Sequence, residues 1–201
     1  MPVQAPSARP VLVKHSAVVI GASAGAIEAL SKILPTLPRD FRLPILIVIH
    51  LPPDRESVVA ELFRNKCALP VREAEDKEMI ADGTIYFAPP DYHLLVEEDR
   101  ILSLSSEEPV NFSRPSIDLL FETAADAYGS ELLGVVLTGA NNDGAAGSRK
   151  IAASGGTVLV QQPSEAQVNT MPLAALAACP AARVLKLDEI ANYLREMGKS
   201  A

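Results

Sequence analysis

The sequence predicts an α/β fold, a doubly wound and mostly parallel sheet with helices on both faces and a short antiparallel extension. Short apolar runs alternate with helix-like stretches along most of the chain, and the middle is β-rich and broken by Asp-Gly and Pro-Pro. With 201 residues, 48% of them hydrophobic, the chain is large enough for one sizeable core. We expect a single domain over residues 16–201, preceded by a proline-containing tail or linker over residues 1–15.

The first part of this domain reads as strand, helix, strand, helix. An apolar run over 17–23 leads into a helix that ends near Leu34, and a second run over 43–50 precedes a helix over 56–66. Continuous apolar strands that alternate with helices indicate βαβ units in a parallel sheet. Residues 70–104 contain short β-rich pieces, which we interpret as a meander or antiparallel extension.

The alternation resumes after Pro115 and continues to the C-terminus. The sequence predicts helices and strands in strict succession, over 116–129, 131–139, 143–154, 156–162, 171–178, 182–187 and 188–197, beginning with a helix. This second half completes the doubly wound layout.

Composition and charge exclude several classes of protein. The formal net charge of −7 and a pI near 5.0 argue against nucleic acid and anionic lipid as partners. No stretch of eighteen apolar residues and no secretory signal is present, so we expect a cytoplasmic protein without membrane insertion. Cys67 and Cys179 have no CxxC spacing, so we expect neither a disulfide nor a zinc site, and no cofactor.

Three polar residues follow apolar strands at the edge where ligands bind in open α/β sheets. Ser23 lies in Gly21–Gly25, a G-x-S-x-G match between a strand and a helix, where a nucleophile elbow belongs. His50 ends the second strand, and Asp143 follows the strand over 131–139. Taken singly, each residue has an ordinary alternative: a capping turn, a structural histidine and an N-cap. Together they favour a nucleophile, a general base and an orienting carboxylate in the chain order Ser-His-Asp.

These segments resemble the catalytic domain of the chemotaxis protein-glutamate methylesterase (CheB) family over about residues 16–197. The resemblance rests on VVIGASAGAIEAL, VIHLPP, REAEDKEMIADGTIYFAPPDYHLLV, RPSIDLLFETAADAYG, VVLTGANNDGAAG and GGTVLVQQPSEAQVNTMPLAAL. It implies a serine hydrolase that removes methyl esters from chemoreceptor glutamates and deamidates some receptor glutamines. The family's catalytic serine, histidine and aspartate fall on Ser23, His50 and Asp143, and the implied partner is the methylated cytoplasmic helices of a receptor.

The chain also departs from the family pattern beside the expected site. Ala24-Gly25-Ala26 stands where Thr-Gly-Gly is usual, and Ala140-Asn141 stands where Met-Gly is usual. Most full-length members carry an N-terminal receiver domain that covers the active site. The fifteen residues before Ser16 are too few for one, so the chain is either a stand-alone homologue or an excised domain, and we expect it to be constitutively active. His93 matches a histidine common in the family, and we expect it to support the site rather than to react.

Substrate docking is expected to involve basic residues near the site. The net charge disfavours an acidic receptor surface, so we expect Arg55, Arg114 and Arg149 to be docking candidates, with solvated surface charge as the alternative.

Two rival functions remain at the level of sequence. A nucleotide-binding module would also place a small-residue turn after its first strand, but it requires glycine at Ser23 and an acidic residue at His50. The other is a non-catalytic signalling module that keeps the fold without turnover.

Overall fold

The computed structural model describes residues 15–50 and 58–198. Its strands are β1 (Ala17–Ala22), β2 (Ile45–Ile49), β3 (Val71–Glu73), β4 (Ile85–Phe87), β5 (His93–Val96), β6 (Leu102–Ser105), β7 (Leu132–Val136), β8 (Thr157–Gln161) and β9 (Arg183–Leu185). Its helices are α1 (Ala26–Ile33), α2 (Val59–Arg64), α3 (Ile117–Tyr128), α4 (Ala145–Ala153), α5 (Thr170–Ala178) and α6 (Leu187–Gly198).

The main sheet of the described residues is parallel, with the strand order β3-β4-β2-β1-β7-β8-β9. From β1 the chain builds the sheet outward in one direction through β2, then returns to the other side of β1 with β7. The strand order therefore reverses between β1 and β7, which is where open α/β sheets form their ligand crevice. Ser23 and His50 directly follow β1 and β2 at this edge, as predicted.

The sheet is buried on both faces, which explains its unbroken apolar strands. Val18 and Ile20 belong to the core beneath α1, α2 and α6, while Ala17 and Val19 belong to the core beneath α3, α4, α5 and the β5–β6 hairpin. Each face of β1 is thus removed from water, a source of stability of about 25 cal/mol per Å² of apolar surface. The predicted doubly wound fold with an antiparallel extension is confirmed.

The interpretation of residues 70–104 as a meander is correct only for their second half. β5 and β6 pair antiparallel as a separate hairpin, but β3 and β4 are parallel strands of the main sheet. The signal lay in Ile85, Tyr86 and Phe87, which are all buried. Three consecutive apolar residues are typical of an interior parallel strand and not of the alternating pattern of a meander.

The N-terminal boundary of the folded part also differs slightly from the prediction. His15, placed in the tail by the sequence, is only 4% exposed. Next to it, Ser16 N–H donates a 2.8 Å hydrogen bond to the Glu131 carbonyl, so this position is already part of the packed domain. Burial also lowers the pKa of the His15 imidazole.

Candidate active site

A cleft of 540 Å³ opens at the carboxyl ends of β1 and β2. Ser23 and His50 both line it, together with residues from the start of α1 and the loop before α5, which include Glu28 and Gln167. Ser23 is half-buried, and the His50 side chain is 13% exposed. The sequence therefore placed a candidate nucleophile and a candidate base in one solvent-accessible cavity.

The turn that carries Ser23 is held by its own backbone and by Thr138. The Ser23 N–H donates to the Thr138 carbonyl at 2.9 Å, and the Thr138 hydroxyl donates to the Ala24 carbonyl at 2.8 Å. The left-handed conformation of the turn falls on Gly25, with φ 84°, and Ser23 does not have a positive φ. A Cβ on Gly25 would lie 3.0 Å from both Gln167 Cβ and Thr138 Cγ2, so the left-handed backbone and the close packing both favour glycine there.

His50 and Asp143 are in direct contact. His50 Nε2 lies 2.9 Å from Asp143 Oδ2, and the Asp143 side chain is completely buried. Because an ionised carboxylate only accepts, this contact places a proton on Nε2 and leaves Nδ1 as the ring nitrogen available to a nucleophile.

Asp143 is held at the N-terminus of α3 and not at the start of its own helix. Its Oδ2 also accepts from the Ile117 N–H at 2.7 Å, and its Oδ1 accepts from the Asp118 N–H at 2.9 Å and from the Ser116 hydroxyl at 3.0 Å. The N-cap alternative for Asp143 is therefore wrong for α4, whose N-cap is Gly144 without a side-chain bond. Sequence spacing alone gave no sign of this partnership with α3.

The electrostatics of this buried carboxylate favour its charged form. Burial alone would raise the pKa of the Asp143 carboxyl, but hydrogen bonds from His50 and from the Asp118 and Ile117 N–H groups outweigh it, so the pKa lies below its usual value. An ionised Asp143 can orient a neutral imidazole and stabilise it when it becomes charged.

His93 lies behind Asp143 and takes no part in the cleft. It is fully buried, its Nδ1 accepts from the Ser116 N–H at 3.1 Å, and its Nε2 donates to the Glu108 carbonyl at 3.2 Å. Ser116 in turn donates its hydroxyl to Asp143. His93 thus positions the start of α3, in agreement with the supporting role expected from the sequence.

Ser23 and His50 share the cleft, but no hydrogen bond joins them in the described residues. The partner of His50 Nδ1 is the Asn141 amide, whose Nδ2 lies 3.3 Å away. The sequence drew attention to Asn141 only as a departure from the family pattern, and Gln167 and Thr138 gave no signal at all.

Two of the three arginines predicted to be docking candidates, Arg114 and Arg149, lie in the described part of the chain. Arg55 lies outside the described residues. Arg114 is held by Asp91 at 2.6 Å and by the Ser106 and Glu107 carbonyls, each at 2.9 Å, so its guanidinium is already engaged. Arg149 is exposed on α4 and stays a docking prediction.

The described residues contain no cluster of three histidine, cysteine, aspartate or glutamate side chains able to hold a metal ion. Among the helices of the same residues, none has the length and apolar character needed to cross a membrane.

Comparison with known proteins relates this site to a family. A protein of Leptospira interrogans, provisionally named protein-glutamate methylesterase/protein-glutamine glutaminase, is 48% identical over 178 residues, which span 89% of this chain and 92% of that protein. A protein-glutamate methylesterase/protein-glutamine glutaminase of Paramagnetospirillum magneticum is 38% identical over 184 residues, but the match covers only 48% of its length.

Structural comparison gives the same relationship. The crystal structure of the Thermotoga maritima CheB methylesterase catalytic domain superposes with a TM-score of 0.86 and 34% sequence identity, covering 92% of this chain and all of that one. The family model for the CheB methylesterase matches residues 18–194, nearly the whole described fold. The chain therefore belongs to the CheB methylesterase family.

Proposed function

We propose that this chain hydrolyses methyl esters of glutamate side chains on chemoreceptors, with Ser23 as nucleophile, His50 as general base and Asp143 as the orienting carboxylate. The observation that carries the proposal is the 2.9 Å contact between His50 and Asp143 at the wall of the cleft that Ser23 lines. The names of the relatives in Leptospira interrogans and Paramagnetospirillum magneticum supply the substrate class.

The reaction begins when Ser23 Oγ attacks the ester carbonyl carbon and its proton passes to His50 Nδ1. The tetrahedral intermediate then breaks its bond to the methoxy oxygen, which leaves as methanol with the proton from His50. Water, deprotonated by the same nitrogen, attacks the glutamyl-serine ester and releases the glutamate carboxylate and Ser23. A glutamine side chain enters the same sequence with ammonia as the leaving group, which is the glutaminase activity in the relatives' names.

The intermediate carries negative charge on the former carbonyl oxygen, which backbone N–H groups can stabilise. Ser23 N–H is already bonded to Thr138, so it is not free for this role. The N–H groups of Ala24 and Gly25 have no hydrogen-bond partner in the described residues and adjoin the nucleophile at the start of α1. The N–H of the residue after the nucleophile is a recurrent oxyanion donor, so we assign this role to Ala24.

The protein substrate requires a contact surface beyond the cleft. Phe112 lies on a tight turn closed by hydrogen bonds between Val110 and Ser113, and it is fully exposed with φ 61°. A bulky residue with positive φ is unusual, and strained, exposed side chains concentrate at functional sites. Ser113 adjoins the site through Asn141, so we propose that Phe112 contacts a receptor helix as its ester enters the cleft.

Methanol release tests the proposed activity. The wild-type chain is incubated with a chemoreceptor cytoplasmic fragment whose glutamates carry labelled methyl esters, and volatile label is counted beside Ser23→Ala. We expect release from the wild type and a loss of at least about a thousandfold in the variant. Ammonia release from the same fragment with glutamine at the methylation sites measures the glutaminase reaction.

The non-catalytic alternative has one observation in its favour, the missing hydrogen bond between Ser23 and His50. Catalytic hydrogen bonds often form only when substrate is bound, so this geometry does not prevent catalysis. Wild-type methanol release equal to that of Ser23→Ala, with the fragment still bound, would establish the non-catalytic module instead.

A further inference from the structure

The Asn141 side chain occupies the ring nitrogen of His50 that the proposed reaction needs. Asp143 is bonded to Nε2, and the Asn141 amide nitrogen lies 3.3 Å from Nδ1. The same amide nitrogen lies 3.4 Å from the Ser113 hydroxyl oxygen.

Its neighbours determine which way the Asn141 amide points. Asn141 Oδ1 accepts a 3.2 Å hydrogen bond from the Asp143 N–H. Exchanging the amide oxygen and nitrogen would set two donors against each other, so Nδ2 is the atom that faces His50. An amide N–H can donate a hydrogen bond to Nδ1 only when that ring nitrogen carries a lone pair and no proton. Asn141 and Asp143 therefore select the same neutral tautomer from opposite sides of the ring.

We propose that Asn141 is a positioning residue for the general base. Its amide holds His50 Nδ1 neutral and aligned in the substrate-free enzyme, and it gives up this contact to the Ser23 hydroxyl when an ester enters the cleft. This inference rests on the proposed function for the identity of the nucleophile, but the contact itself is testable without any substrate.

The contact has the properties that a temporary partner requires. At 3.3 Å it is longer than the 2.9 Å bond to Asp143, so the weaker of the two bonds to the ring is the one to be exchanged. Asn141 is only half-buried, and its second bond, to Ser113, keeps the amide in place after His50 Nδ1 is released. A neutral donor also occupies the Nδ1 lone pair without adding charge beside the ring.

Other charged groups around His50 set the background for any titration. Asp143 bonds the ring directly, Asp118 lies next to Asp143, and Glu28 of α1 lines the same cleft. Residues 51–57, which follow His50, lie outside the described residues. A test must therefore change Asn141 alone and compare it with the same charge change one position away.

Asn141→Asp and Asn142→Asp form that matched pair. The first puts a carboxylate at His50 Nδ1, where it favours a protonated ring, and the second puts the same charge on an exposed neighbour. Long-range ¹⁵N NMR of histidine-labelled full chain, with His50 assigned through His50→Gln, reports both tautomer and titration. We expect the Nε2–H tautomer in the wild type. Asn141→Asp should move the His50 titration upward by about one to three pH units, and Asn142→Asp by much less.

The pH profile of kcat/KM distinguishes a positioning role of Asn141 from a purely structural one, because a purely structural residue would not shift its acid limb. In Asn141→Asp, the acid limb of kcat/KM for the methyl ester should shift upward with the NMR titration, while KM stays within about twofold. Asn141→Gly removes the amide donor without any charge effect, so the preference for the Nε2–H tautomer should weaken and be maintained by the bond to Asp143 alone.

Equal His50 titrations in Asn141→Asp and Asn142→Asp would overturn the inference, as would a neutral wild-type ring protonated at Nδ1. A rise in KM with kcat unchanged would also overturn it, since Asn141 would then bind substrate. If the wild type releases no methanol, the proposed function fails, but the NMR titration still decides whether Asn141 positions His50.

Discussion

Replacing Asp143 by asparagine removes the charge from a carboxylate that the described residues surround with donors. Its Oδ1 accepts from the Ser116 hydroxyl and from the Asp118 and Gly144 N–H groups, and its Oδ2 accepts from the Ile117 N–H and from His50. An asparagine keeps one acceptor oxygen. Held by the larger set of donors on the Oδ1 side, it would turn its NH₂ group toward His50 Nε2 and the Ile117 N–H.

The expected consequence is a change of tautomer. His50 Nε2 would have to accept from this NH₂ group, so the ring proton would move to Nδ1, which could no longer take the Ser23 proton. Loss of the orienting carboxylate with retained geometry costs about 10⁴ in kcat in serine hydrolases, or about 5 kcal/mol of transition-state stabilisation. The unpaired Ile117 N–H adds a stability cost of about 1–3 kcal/mol.

Methanol release gives kcat for Asp143→Asn, and thermal unfolding shows that the variant is folded at the assay temperature. Asp118→Asn is the matched control, because it makes the same isosteric change on a buried carboxylate next to Asp143. The Asp118 carboxyl bonds the Gly147 N–H at 2.7 Å and Asn111 at 3.2 Å, and neither of these partners contacts His50. A folded Asp143→Asn variant with more than a tenth of the wild-type kcat would refute the assigned role.

Three further predictions concern stability, docking and the turn at Gly25. Burial raises the pKa of the Asp118 carboxyl to about 6, above its unfolded value, so its favourable contribution to folding is complete below about pH 4 and is lost as pH rises through 6. Relative to Asp118→Asn, the unfolding free energy of the wild type should therefore fall by up to about 3 kcal/mol between pH 4 and 6. A difference between the two proteins that does not change with pH would contradict this burial effect. Phe112→Ser should raise KM for the receptor fragment severalfold at constant kcat, and an unchanged KM would exclude Phe112 from docking. Gly25→Ala should destabilise the fold by about 1–3 kcal/mol in denaturant titrations, since its left-handed φ and its distance to Gln167 both oppose a Cβ, and wild-type stability would refute the steric reading.

The arrangement of strand ends could be predicted from the sequence because it follows from the topology of a parallel sheet. Unbroken apolar runs before Ser23 and His50, in alternation with helices, indicated interior strands of a parallel sheet. Parallel neighbours bring their carboxyl ends to one edge. Backbone pairing places His50 N–H 3.2 Å from the Ala22 carbonyl, one residue before Ser23. The sequence alone was therefore enough to predict that two of the three candidate residues, Ser23 and His50, lie near each other.

Side-chain contacts between segments that are distant in the sequence could not be predicted in the same way. Asp143 looked like the N-cap of the helix that follows it, because helix-start signals are local, yet its carboxylate bonds the start of α3, 25 to 27 residues earlier in the chain. The same limitation hid Thr138, which ties the Ser23 turn to the end of the neighbouring strand β7. Sequence periodicity specifies which face of an element is buried, but it does not specify which helix terminus approaches which loop.

Asn141 shows how a departure from a family pattern can carry information of its own. At the level of sequence it was only a departure from the family pattern beside the expected site. In the structure its amide completes a set of hydrogen bonds in which both nitrogens of His50 and both polar atoms of Asn141 have partners. A glycine could supply none of the side-chain bonds that Asn141 makes. Asn141 is therefore compatible with a working base, and the tautomer that it favours is the one that the proposed proton transfer from Ser23 requires.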